Sequence, residues 1–269
     1  MRTAIAAAAI AFVLPSTPPV SAELVPVRHT EGRTRGFLVV RDAGDKVIGV
    51  GQLNQTLQGS RVVDDLRIHF SDGSTLQETT EFSQRKTFRL RSYHLVQHGP
   101  AFERQVDMSL DVARGDVAIR YSEKGEAEKM IRERLDLPDD LANGMLPTLL
   151  NDVDPARAKT VVSLLAATPK PRIVQLEISP DGEESFTIAG APFQAQRFKA
   201  HVEIGGIAGA LAPVLGKQPP DSHLWTVGGK VPGFLKSEGP LFEGGPIWTV
   251  AIASPVWASS EPQRKPAAE

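Results

Sequence analysis

The sequence predicts a mainly β protein, built as a curved antiparallel sheet or incomplete β-barrel with one short internal helix. Three observations support this fold class. From Gly36 onward, apolar and polar residues alternate over runs of about six to twelve residues, which is typical of antiparallel strands with one face in water. Turn sequences such as Asp72-Gly73 separate the runs. One stretch, residues 137–151, has helix signals instead.

The clearest strands lie in the first half of the chain. Runs at 61–70 and 75–84 flank the turn 71–74, which predicts a hairpin, and a third alternating run follows at 86–97. In these runs, apolar residues of equal parity are predicted to line the inner face of the sheet: Leu66, Ile68, Phe70, Phe82, Phe88 and Leu90.

The rest of the chain continues the same pattern. Further strands are predicted at 106–114, 116–122, 126–135, 160–168, 172–179, 183–188 and 193–204, with a Pro-Asp-Gly turn at 180–182. The helical stretch 137–151 has Pro138 in its first turn, while Asn143-Gly144 would allow a break. The small apolar residues at 205–216 are interpreted as a buried bent strand or, alternatively, as a flap over a cavity mouth.

The N-terminus predicts an export signal at residues 1–22. Arg2 precedes an apolar run from Ala4 to Leu14, and small residues up to Ala22 suit signal peptidase. That run is too short to span a bilayer, which needs about 20 apolar residues. Cleavage after Ala22 would leave 247 residues in the periplasm or outside the cell, with no transmembrane segment.

The remaining chain is predicted to form one domain. Residues 23–35 are polar and are expected to be a flexible lead-in, residues 36–257 a single β-rich domain, and residues 258–269 a disordered tail. The chain has no cysteine, which excludes thiol catalysis, cysteine metal sites and disulfide bonds. Its formal charge of −2 argues against a nucleic-acid partner, which would need a basic face.

Two histidines in the segment YHLVQHGP, residues 93–100, raise the question of a metal site. His94 and His98 would lie close together on a helix, but on a strand they are about 13 Å apart. The sequence therefore predicts no metal site here, and no cofactor elsewhere.

Polar residues on the predicted inner face would orient a ligand. His94 shares its parity with Leu90, and Gln84 shares its parity with Phe82; Asp64 and Glu78 are inward candidates by the same rule. A largely apolar cavity with a few polar groups is typical of a small-molecule site. The predicted ligand-binding residues are Leu66, Ile68, Phe70, Phe82, Gln84, Phe88, Leu90 and His94.

The organisation of residues 36–257 resembles a known family. An export signal, long antiparallel strands and a short helix are followed by Trp225 and then by the segment 232–236, Pro-Gly-Phe-Leu-Lys. This layout is similar to the LolA-like lipoprotein-carrier half-barrels of Gram-negative bacteria and the periplasmic proteins grouped with them. The resemblance implies a curved sheet wrapped around a helix, with an apolar concave face that holds a lipid or acyl group. The chain departs from these carriers in having one helix rather than several.

The sequence thus predicts an exported envelope protein that binds a lipid or other apolar ligand non-covalently. One alternative is an extracytoplasmic hydrolase or isomerase that pairs His94 with Asp64 or Glu78, whose side chains would then lie within about 3 Å of each other. A second alternative is an envelope assembly scaffold without a small ligand, which would have a packed interior and an envelope protein as its partner.

Overall fold

The computed structural model describes residues 22–123, 126–188, 190–204, 218–228, 232–253 and 256–257. The predicted signal up to residue 21, the segment 205–216 and the tail 258–269 lie outside the described residues. The elements are β1 Thr34–Arg41, β2 Val47–Gln58, β3 Arg61–Phe70, β4 Thr75–Gln84, β5 Phe88–His98, β6 Arg104–Asp111, β7 Asp116–Glu123, β8 Lys129–Arg134, α1 Leu146–Leu150, β9 Thr160–Ala166, β10 Arg172–Ile188, β11 Ala191–Glu203, β12 Ser222–Val227, β13 Gly233–Pro240, β14 Ile247–Ile252 and β15 Val256–Trp257.

The described strands form one antiparallel sheet that is not closed into a barrel. From β10 the order runs through β11, β12, β13 and β14 to β1, and then through each successive strand to β8. Strands β9 and β15 both pair with β10. Because β14 pairs with β1, the first and last long strands meet in the middle of the sheet. The predicted fold class, a mainly β open sheet with one short helix, is confirmed.

The sheet curves around an inner segment, residues 137–153, which we call the plug. One hydrophobic cluster joins the inward side chains of β3–β7 to those of β9–β11 and to the plug. The plug contributes Leu141, Met145 and Leu149, which are at most 3% exposed. Alternation along the strands places apolar residues on this side and polar residues on the other, as the hydrophobic effect requires.

The helix is shorter than the predicted range 137–151. Gly144 has a φ of +70°, and residues before it make hydrogen bonds to β9 instead of helical ones. The Asn143 side chain donates to the carbonyl of Leu165 and accepts from its N–H, at 2.9 and 2.8 Å. Ala142 N–H donates to the carbonyl of Ser163 at 2.8 Å. The first half of the plug therefore covers the edge of β9 that does not pair with β10. This edge is then less available for pairing with a strand of another molecule.

The predicted turn at residues 180–182 is wrong. β10 runs without interruption from Arg172 to Ile188, and β11 pairs with both of its halves. The register shifts between Pro180 and Glu183, where Gly182 has a φ of +99°. The Pro-Asp-Gly sequence thus makes an irregularity within one long strand, because the partner strand continues past it.

Candidate functional site

Most residues predicted to line a ligand site are packed core residues. Ile68, Phe70, Phe82, Phe88 and Leu90 are at most 7% exposed, as is Gln84, and Leu66 is half-buried. The rings of Phe82 and Phe88 pack edge to face with centroids 6.0 Å apart. These side chains do face the concave side of the sheet, as predicted. Their role in binding a ligand stays a prediction.

His94 faces outward, so the prediction of an inward His94 is wrong. Strands β4 and β5 change register beside Arg91, which has no pairing partner on β4. One inserted residue reverses the side-chain alternation that follows it. Tyr93 therefore takes the inward position and is 6% exposed, while the side chain of His94 is 50% exposed.

The outward position separates His94 from the carboxylates of the enzyme hypothesis. Asp64 and Glu78 lie on the inner face, whereas His94 Nε2 lies 2.9 Å from Oδ1 of Asp107 on the outer face. His94 also lines a shallow groove of about 580 Å³ on the outer face of β4–β8, together with Ser92 and several charged residues. A half-exposed contact between a histidine and a carboxylate in water resembles a surface interaction more than a shielded catalytic dyad.

The inserted residue brings Tyr93 against Glu78 on the inner face. The Tyr93 hydroxyl donates to Oε1 of Glu78 at 2.9 Å. Burial raises the pKa of Glu78, and the hydrogen bond from Tyr93 partly opposes that rise. The pKa of Tyr93 is raised well above its ordinary value by burial and by the neighbouring carboxylate. Tyr93 was not predicted to face inward, because the types of residue in the alternating sequence do not show that one residue is inserted before it.

We expect Tyr93→Phe to lower the free energy of unfolding by about 1–3 kcal/mol, because it leaves the Glu78 carboxyl without its donor. His94→Ala, on the opposite face of the same strand, should change it by less than about 1 kcal/mol. Urea unfolding at pH 7 followed by circular dichroism measures both values. A larger loss for His94→Ala than for Tyr93→Phe would contradict the register described here.

The second polar group on the inner side is a carboxylate cluster, which consists of Glu31, Asp64 and Asp152. Each member comes from a different part of the fold: the N-terminal strap (residues 22–33), β3 and the end of the plug. Asn151 Nδ2 lies 3.4 Å from Oε1 of Glu31. The Gln55 amide on β2 hydrogen-bonds to the carboxylates of both Glu31 and Asp64.

The strap, which overlaps the predicted flexible lead-in 23–35, makes specific contacts with both β9 and β5. Glu23 N–H donates to the carbonyl of Val161 on β9 at 2.9 Å, and Phe88 N–H on β5 donates to the carbonyl of Val25 at 3.1 Å. Gln84 holds the backbone of Glu31 through two hydrogen bonds of 2.6 and 2.9 Å. The strap therefore crosses the open sheet from β9 to the β4–β5 turn.

The cluster ties the strap to the plug. Oδ1 of Asp152 accepts hydrogen bonds from the backbone N–H groups of Arg28 and His29, at 2.5 and 2.6 Å. The Asp152 side chain is fully buried, and His29 Nδ1 lies 3.6 Å from the same Oδ1 atom. The Arg28 guanidinium instead pairs with Asp154 at 3.1 Å.

Burial raises the pKa of every carboxyl in the cluster, and repulsion from a neighbouring carboxylate adds to the rise for Asp64 and Glu31. Burial raises the pKa of Asp64 to about 7, with a smaller rise from Glu31 and an opposing effect from the Gln55 hydrogen bond. Burial also raises the pKa of Glu31, with Asp152 adding to the rise while hydrogen bonds from Asn151 and Gln55 oppose it. Burial raises the pKa of Asp152 despite its two backbone hydrogen bonds.

Several buried polar atoms in this region have no hydrogen-bond partner: Oδ1 of Asp64, Oδ2 of Asp152, Oδ1 of Asn151 and Nδ1 of His29. Such atoms are rare in native proteins, and each calls for an explanation such as a bound group. The inward position of Asp64 was predicted from strand parity. Glu31 and Asp152 were missed because they lie outside regular elements, where no periodicity indicates a direction.

Comparison with known proteins gives no relative: the chain matches no family model, no curated protein and no solved structure. The resemblance to lipoprotein carriers therefore stays a prediction. Within the described residues, no helix is long and apolar enough to cross a membrane. The same residues contain no group of three or more acidic or histidine side chains arranged to hold a metal ion.

Proposed function

We propose that the protein is an exported envelope protein that binds an apolar or amphipathic ligand between the concave face of its sheet and the plug. One observation carries the proposal. The apolar face of an open sheet is covered by a separate segment whose only helix has five residues. The predicted signal peptide supports the envelope location.

The plug is held by contacts that a ligand can replace. Its polar bonds to the sheet are concentrated on β9, at residues 163 and 165. Its apolar hold comes from side chains such as Leu141, Met145 and Leu149, which are each worth about 1.5–3 kcal/mol when buried. An alkyl chain of ten carbons gains about 8 kcal/mol on burial, at about 0.8 kcal/mol per methylene. A ligand of this size can therefore replace part of the apolar contact between the plug and the sheet.

A reversible disulfide tests whether the plug must move. Leu141 and Ser163 are bridge partners between the plug and β9, and the chain has no other cysteine. We expect the oxidised Leu141→Cys/Ser163→Cys variant to bind the neutral apolar probe N-phenyl-1-naphthylamine at least tenfold more weakly than its reduced form. Probe fluorescence during a titration of residues 23–269, with and without dithiothreitol, measures the change.

The matched control places a disulfide where the plug is not involved. Val39 and Val50 are paired on β1 and β2 and project from the outer face, so Val39→Cys/Val50→Cys should bind the probe equally in both redox states. Equal binding by the oxidised and reduced plug variants would contradict a moving plug. No probe binding by the wild-type chain would overturn the proposal in favour of a scaffold without a small ligand.

A further inference from the structure

We propose that the carboxylate cluster is a head-group site that binds a primary ammonium group on the amphipathic ligand. The inference rests on the proposed function and names the class of ligand, an alkyl chain that ends in a positively charged amine. The cluster lies where the strap, the inner face of the sheet and the plug meet. A ligand placed between the sheet and the plug would therefore reach it with one end.

The unpartnered atoms at the cluster are the first reason. Asp64 is 7% exposed and Asp152 is 1% exposed, yet Oδ1 of Asp64 and Oδ2 of Asp152 have no hydrogen-bond partner. Oδ1 of Asn151 is unpartnered as well. All three atoms are acceptors, so a group that binds beside any of them must donate hydrogen bonds. A primary ammonium carries three N–H donors and one positive charge.

The charges that face the cluster are the second reason. Among the described residues, the basic side chains near these carboxylates are both on the strap. His29 Nδ1 lies 3.6 Å from Asp152, and the Arg28 guanidinium is turned to Asp154. From β2, β4 and the plug, the neutral side chains of Gln55, Gln84 and Asn151 face the same region. In the part of the chain that the structure describes, no basic side chain donates a hydrogen bond to the carboxyl groups of the cluster, and a buried carboxylate without such a donor is costly.

The surroundings favour an ammonium ion over a metal ion. The described side chains are not arranged as a set of three or more ligands for a metal, and an ammonium needs less strict geometry.

The apolar neighbours of Asp64 provide the path for the alkyl chain. Val62 and Phe82 are paired across β3 and β4, and both are 0% exposed. They share the inner face with Asp64, which is two residues from Val62 on the same strand. A ligand whose ammonium group reaches Asp64 would therefore lay its chain along this apolar surface.

Calorimetric titration of the mature chain with decylammonium and with 1-decanol at pH 8 tests the site. We expect decylammonium to bind at least tenfold more tightly than 1-decanol, since only the former has a charged donor. Asp64→Asn should remove most of this preference while 1-decanol binding stays unchanged. Asp65→Asn is the matched control, because Asp65 projects from the opposite face and pairs with Arg67; it should keep the preference.

Proton release on binding provides a second measurement. Since the pKa of Asp64 is raised to about 7, binding of a cation at pH 7 should release protons, which buffers of different ionisation enthalpy reveal. The Asp64→Asn variant should release fewer protons when the cation binds.

The other outcomes overturn the proposal in distinguishable ways. Equal affinity for decylammonium and 1-decanol would reject the head-group site and leave the proposed function intact. No binding of either probe would reject the proposed function as well. Displacement of decylammonium by millimolar calcium chloride, with calcium itself bound in the titration, would assign the cluster to a divalent cation. An equal loss of both probes in Asp64→Asn would show a merely structural carboxylate.

Discussion

Asp64→Asn is expected to stabilise the protein above pH 7 and to change its stability little at pH 4. In the folded chain, burial raises the pKa of Asp64 to about 7, whereas an unfolded aspartate has a pKa of about 3.9. Between these values the folded form keeps a proton that the unfolded form has lost. The stabilising effect of that proton is therefore full below about pH 4 and is lost as pH rises to about 7.

The expected size of this effect is up to about 4 kcal/mol, at about 1.4 kcal/mol per pH unit over the window. Asparagine has almost the same shape and carries no charge, so its variant lacks this dependence. Urea unfolding of the wild type and of Asp64→Asn at each pH from 4 to 8 measures the difference. Asp65→Asn, on the outer face, should follow the wild-type curve. Parallel curves for wild type and Asp64→Asn would contradict a buried, protonated Asp64.

Gly144→Ala is expected to lower the free energy of unfolding by about 3 kcal/mol. Gly144 has a φ of +70°, and an added Cβ would overlap Oγ1 of Thr80 and approach the Tyr93 ring to 2.9 Å. The backbone strain costs about 1 kcal/mol, and the overlap in a packed interior adds about 1–3 kcal/mol. Thr80 cannot move aside freely because it is 2% exposed.

A second glycine separates the two contributions. Gly73 also has a positive φ, of +86°, but an added Cβ there has no described atom within 4 Å. Gly73→Ala should therefore show the backbone strain alone, about 1 kcal/mol. Thermal or urea unfolding of both variants gives the difference. Equal losses would mean that the plug does not press against β4 and β5 as tightly as described.

The alternating runs of the sequence predicted the sheet because burial on one face imposes a period of two. The same reasoning placed Asp64 and Gln84 on the inner face correctly. It gave the wrong direction for the His94 side chain. The extra residue Arg91 reverses the alternation, and the residue types alone do not show that a residue is inserted there. It failed at 180–182 as well, because only the partner strand β11 decides whether Pro-Asp-Gly turns the chain or interrupts a strand.

The carboxylate cluster was accessible to sequence reasoning only in part. Asp64 sits in a strand with a clear parity, so its direction followed from its neighbours. Glu31 and Asp152 belong to irregular segments, and they lie near each other although more than a hundred residues separate them along the chain. Periodicity carries no information on such a contact, because it is set by how the whole sheet curves around the plug.

The pairing of β14 with β1 has a consequence for the order in which the chain can fold. Strands β1–β8 can form consecutive hairpins as soon as they are available, and so can β9–β14. Among the described strands, the two halves are joined as one sheet only through β1 and β14, which are about two hundred residues apart. During synthesis from the N-terminus, β1 would remain an open edge until residues 247–252 have been made. The window in which this edge can pair with a wrong strand therefore lasts for nearly the whole of synthesis.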